Sequence, residues 1–98
     1  MPTRKRVEEN EQLYRDVNDR IREISESFFD RWELVDFACE CGRHCRAQVR
    51  LTLDEYAEVR SDPAAFVVAP GHELPELEES VRRHERYVVV VKRQLEDE

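Results

Sequence analysis

Residues 33–52 read ELVDFACECGRHCRAQVRLT, and the fold is decided there. In residues 33–38, Val35 and Phe37 alternate with Leu34, Asp36 and Ala38, and Cys39 continues the first set. Alternation at period two marks a strand with one buried face. From residue 46 the pattern resumes, with Ala47, Val49 and Leu51 on one side and Arg46, Gln48 and Arg50 on the other. Two strands joined by a tight turn form a hairpin, and the tip of this one carries all three cysteines of the chain.

That tip has the makings of a zinc site. In Cys39-x-Cys41 both side chains leave an extended backbone on the same side. A tetrahedral zinc ion with Zn–S bonds near 2.3 Å needs sulfurs about 4 Å apart, which a slight bend there supplies. Gly42 lets the backbone turn sharply, with positive φ if required, and leaves amide N–H groups free to face the thiolates. Cys45 returns from the far side of the loop, so one zinc-ribbon-like knuckle sets three ligands. An odd number of clustered cysteines is unlike a disulfide framework and points to metal or redox chemistry. The bland alternative is that they are small hydrophobic residues in a strand and turn.

A structural zinc site wants a fourth ligand, and the chain has His44, His72 and His84 to offer. His44 adjoins Cys45 and would point away from a metal its neighbour already holds. His84 lies in an arginine-rich stretch that reads as turn or helix. His72 follows Pro70-Gly71, a turn signal that aims a ligand rigidly, and Glu73 beside it could accept the second ring N–H. His72 is therefore the expected ligand, with His44, His84, an acidic residue and water as alternatives.

Upstream of the hairpin, Leu13, Val17, Ile21, Ile24 and Phe28 step at the helical period, predicting a helix over residues 8–29. Glu11 with Arg15, and Asp16 with Arg20, have the i,i+4 spacing of favourable pairs on its outer face. The apolar stripe is expected to cover a sheet, because so small a sheet needs a cover; the other reading is a partner helix. Trp32 either seals that contact or stands exposed as an interface anchor. Downstream, Thr52-x-x-Glu55 is a capping box, so a short second helix should run over 53–60. Asp62-Pro63 can start a single helical turn, and FVV at 66–68 reads as a strand. LEESVRRHERYVVVVK at 77–92 could begin as a helix, but a hairpin with strands near 78–83 and 87–92 fits the β-rich YVVVV better.

The expected architecture is α+β: an N-terminal helix on a small antiparallel sheet, a zinc-binding hairpin and one short second helix. Ninety-eight residues make one domain, expected over 8–92, between a disordered basic tail at 1–7 and an acidic tail at 93–98. A core this small gains from a metal staple. No apolar run approaches the roughly 18 residues that would span a bilayer, and MPTRKRVEEN lacks the apolar segment of a secretory signal. The chain reads as cytoplasmic. Its net charge of −7 opposes generic phosphate binding.

A wider pattern runs through these motifs. CECG…C, LTLDEYAEVR, DPAAFVVAPGHE and YVVVVK resemble a family of small, mostly actinobacterial proteins with the pattern CECG…C, LTxxEYxxVR, FxVxPGHE and YxVVxK. NEQLYRDVNDRI looks like that family's opening helix, so the likeness covers residues 10–92. It implies that Cys39, Cys41, Cys45 and His72 act as one constellation, and it favours the C-terminal hairpin. The loop between Cys41 and Cys45 is one residue shorter than in the family. No activity comes with the resemblance.

Two glycines leave no room for phosphate loops or dinucleotide fingerprints, and no Gly-x-Ser-x-Gly elbow occurs. His72-Glu73 is not the His-x-Glu of a zinc deaminase. The expectation is a non-enzymatic binding or regulatory module, stabilised by zinc rather than iron on ligand type, whose partner is another protein. The alternatives are nucleic-acid binding through Arg43, Arg46, Arg50, Arg82, Arg83 and Arg86, and a thiol redox switch.

Overall fold

The computed structural model describes residues 4–42 and 45–92. The chain runs α1 (Arg4–Ser25), β1 (Leu34–Ala38), β2 (Gln48–Thr52), α2 (Leu53–Arg60), β3 (Ala65–Val68), β4 (Glu78–Arg83) and β5 (Val88–Lys92). The architecture is α+β as expected, but the strands form two antiparallel sheets, a β1-β2 hairpin and a three-stranded sheet in the order β3-β5-β4. The acidic tail at 93–98 lies outside the described residues, as do Arg43 and His44.

Period two holds in the hairpin. Val35 pairs with Leu51 and Phe37 with Val49, and all four are buried. Thr52 ends β2 and caps α2: its hydroxyl accepts from the Glu55 N–H at 3.0 Å while the Glu55 carboxylate accepts from the Thr52 N–H at 2.9 Å. The capping box starts the second helix where the spacing places it. Asp62-Pro63 makes a turn rather than a helical one, with Ala65 N–H donating to the Asp62 carbonyl at 3.0 Å.

The C-terminal segment is a hairpin. Central β5 is buried along Val88–Val90, which explains an unbroken valine run: a strand covered on both faces has no polar side. β4 is its edge partner and carries a bulge between Ser80 and Arg82. Val81 is the extra residue and turns outward.

The first helix departs from expectation in its limits and in its face. It starts at Arg4, inside the segment read as a basic tail, and ends at Ser25. Among its residues from 9 onward, those it buries are Glu11, Asn18 and Ser25, seven apart. Leu13, Val17, Ile24 and Phe28 are exposed, and only Ile21 of the stripe packs against the core. Directional bonds decide this. The Asn18 side chain donates to the Ala38 carbonyl at 2.9 Å and accepts from the Ala38 N–H at 2.8 Å, imitating a neighbouring strand on the open edge of β1. Ala38 presents the backbone pair that β2 leaves unused, since Cys39 N–H takes the adjoining bond to the Ala47 carbonyl at 3.1 Å. Glu11 therefore does not sit on the outer face with Arg15, and Arg15 instead donates to the Pro63 carbonyl and lies over the Phe66 ring. Asp16 takes its hydrogen bond from Gln12.

Candidate metal centre

Three elements bring four donor atoms together. β1 ends at Ala38, so Cys39 and Cys41 leave the strand on one side, both buried. Gly42 follows at φ +78°, a backbone angle that glycine adopts without strain, and the chain returns with half-buried Cys45. From the other side, Ala69-Pro70-Gly71-His72 forms a β-turn closed by His72 N–H donating to the Ala69 carbonyl at 2.9 Å. Proline second and glycine third at φ +89° is the pattern of a type II turn. It turns the chain leaving β3 so that His72 faces the thiols.

The ligand atoms of Cys39, Cys41, Cys45 and His72 all lie within 4.8 Å of one another. The Cys41 and Cys45 sulfurs are 3.4 Å apart, and the Cys39 sulfur is 3.7 Å from His72 Nδ1. Two 2.3 Å bonds at a tetrahedral angle place their sulfurs about 3.8 Å apart, so the cluster is already close to the spacing a bound ion imposes. The Ala69 N–H donates to the Cys39 sulfur at 3.2 Å, the kind of outer bond that steadies a ligating thiolate. Glu73 has an ion pair with Arg83 at 2.9 Å.

The electrostatics fit a cation. The hydrogen-bonding Cys41 thiol beside it, and then burial, push the Cys39 thiol far above its usual range, against the pull of the Ala69 N–H. The Cys39 thiol, crowded by its neighbours, resists ionising without a positive charge beside it. A divalent ion would supply that charge, displacing the thiol proton as it binds.

A polar cluster behind the knuckle has no counterpart in the sequence reading. The period that sends both flanking thiols to one side sends Glu40 to the other, where it is fully buried. Its carboxylate accepts from the Asn18 amide at 2.7 Å, the Val67 N–H at 2.9 Å and Arg60 Nη2 at 2.5 Å. Its own N–H donates to the Val67 carbonyl at 2.8 Å. Burial pushes the Glu40 carboxyl up while Arg60, Asn18 and the Val67 N–H all pull it back. Every one of those partners donates, so the group serves as an acceptor. Arg60 also donates to Tyr56, whose hydroxyl reaches Asp19 at 2.6 Å. Glu40 thereby ties the knuckle to β3, α1 and α2 at once. The signal available in sequence was its place between two ligands on an extended backbone, which forces a charged side chain inward.

His84, an alternative fourth ligand, stacks on Tyr87 at 4.7 Å and accepts from the Arg86 N–H, and does not belong to the cluster. His44 falls outside the described residues. No helix of the described residues is long and apolar enough to cross a membrane. In comparisons with known proteins, no family model, no curated protein and no solved structure matches this chain.

Proposed function

We propose that this protein is a small zinc-stabilised binding module, not an enzyme, and that it works by contact with another protein. The observation that carries the reading is the convergence of Cys39, Cys41, Cys45 and His72 within 4.8 Å. Three thiolates and an imidazole suit zinc in softness and number. A site with four protein ligands has no open position for substrate, so its contribution is to the fold. The ion would pin the hairpin tip to the turn after β3 and so hold the two sheets in register. A protein partner is supported by the uncovered apolar face of α1, since large exposed apolar patches on small proteins mark interaction sites.

Nucleic acid is the weaker reading. Four of the arginines that could have made a basic face are paired with carboxylates: Arg50 with Asp36, Arg82 with Glu58, Arg83 with Glu73 and Arg86 with Glu55. The net charge of −7 adds long-range repulsion.

The test is the metal content of protein purified without added metal, with His72→Ala in parallel. One zinc per chain, lost or much weakened in the variant, is the expected result. A metal-free, well-folded wild type would overturn the reading.

A further inference from the structure

The exposed side of α1 carries an apolar stripe beside charged residues. Leu13, Val17 and Ile24 are 56%, 40% and 56% exposed, and the stripe runs off the helix end into Phe28 at 77%. Trp32, four residues on, is 70% exposed, and Phe29 is 41% exposed. A whole aromatic side chain presents about 150–250 Å². Phe29 and Trp32 line a separate groove with Arg22, Glu26 and Leu53; Leu13, Val17, Ile24 and Phe28 leave on the order of 400 Å² of apolar surface, near the apolar share, a little over half, of the roughly 800 Å² per partner in a standard interface.

We propose that the occupant of this face is a second copy of the chain, docked with its α1 antiparallel. The helix is 22 residues long, about 33 Å at 1.5 Å per residue, and lies on a body 43 × 22 × 22 Å in extent. A two-fold axis between Val17 and Arg20 sets Leu13 of one copy against Ile24 of the other, with Val17 near the axis. Exposed Asp16 and Arg20 flank the stripe. Antiparallel docking brings Asp16 of each copy within one residue, about 1.5 Å along the axis, of the level of Arg20 of the other, two charge pairs of opposite sign. Asp16 and Arg20 lie on the same flank of the stripe, so parallel docking puts the two copies' charges on opposite sides of the seam, where they do not meet. The pattern is self-complementary in one orientation only. The surface was set free by the hydrogen bonds of Asn18, which hold the polar side of the helix inward.

The proposal rests on reading α1 as the contact face of a zinc-stabilised module, and one sample separates the two. Sedimentation equilibrium on the full chain, with zinc content and helix content measured on the same material, should give a mass twice the 11.7 kDa of the chain. Val17→Glu and Ile24→Glu, both at exposed positions, should return it to monomer with zinc and helix content unchanged. Arg20→Asp should weaken the dimer at least tenfold and Asp16→Arg/Arg20→Asp should restore it. A zinc-loaded wild type that stays monomeric at 100 µM (a concentration at which micromolar dimers form, ~1 µM being −8.2 kcal/mol) overturns the dimer and leaves the zinc module standing. A dimer indifferent to both glutamate variants overturns it too, by placing the contact elsewhere. Failure to bind zinc, with dimerisation intact, sinks the module instead.

Discussion

The β1-β2 hairpin and α1 lie against each other and are held by different forces. The hairpin is fixed by non-directional burial, Val35, Phe37, Val49 and Leu51 being almost wholly out of water, and by the donor cluster at its tip. The helix is fixed by hydrogen bonds. Asn18 holds the edge of β1, Asn10 donates to the Gly42 carbonyl at 3.0 Å, and Asp19 accepts from Tyr56. An apolar surface can be satisfied by any apolar neighbour, whereas an edge N–H and C=O pair is satisfied only by a group at the right distance and angle. When the two compete for one helix, the directional contact sets which side faces in. The apolar side is then left exposed.

The contrast should be widest when the proposed zinc ion is withheld or removed. A structural zinc site of this kind is worth about 10–16 kcal/mol at neutral pH, as much as the whole stability of an ordinary domain, about 5–15 kcal/mol. Cys39→Ser, or chelation of the wild type, should abolish cooperative unfolding and release amide protection across Val49–Leu51 and Phe66–Val68 together. A Cys39→Ser variant that melts within a few degrees of wild type would show that apolar packing holds the hairpin without the ion.

The next effect sharpens the helix side of the comparison. Arg60→Met leaves the buried Glu40 carboxylate without its counter-ion, and breaking a buried pair on one side costs about 3–5 kcal/mol. Asn18→Ala removes the bonds to Ala38 and one bond to Glu40, with an expected cost of about 2–3 kcal/mol for buried groups left unpaired. Denaturant midpoints at unchanged slope would measure both. If Asn18→Ala were as stable as wild type, polar anchoring of α1 would be wrong.

These differences explain what could be read in advance. Period two in β1 and β2 and the capping box at Thr52 depend on neighbours close in sequence, and both are where the spacing puts them. The thiols and His72 were legible because each lies at a turn whose residues, Gly42 and Pro70-Gly71, leave few conformations. The inward face of α1 was not. Its partner, the open edge at Ala38, is created only when β1 pairs with β2 on one side alone, a tertiary fact. The Glu40 cluster was hidden for the same reason: its donors Asn18, Arg60 and Val67 come from three separate elements. A strict apolar period predicted a helix correctly and its buried face incorrectly.

The smallest effect is the most pointed. Leu13→Ser and Ile24→Ser remove the residues that a conventional amphipathic helix would bury, and a buried Leu or Ile cut back in a core costs about 2–5 kcal/mol. Here both side chains are more than half exposed, and substitutions at such positions usually change stability by no more than about 0.5 kcal/mol. Chemical denaturation of each variant should therefore overlay wild type, provided the protein is dilute enough to be monomeric throughout. Dilution matters because any stabilisation by a second copy rises with concentration. A loss of several kcal/mol that persists on dilution would mean that the stripe is packed within the chain. A loss that fades on dilution would locate its packing between chains. The two outcomes separate a helix that covers its own sheet from one whose stripe packs against another chain, and the hydrogen bonds at Ala38, by turning the stripe outward, speak against the first.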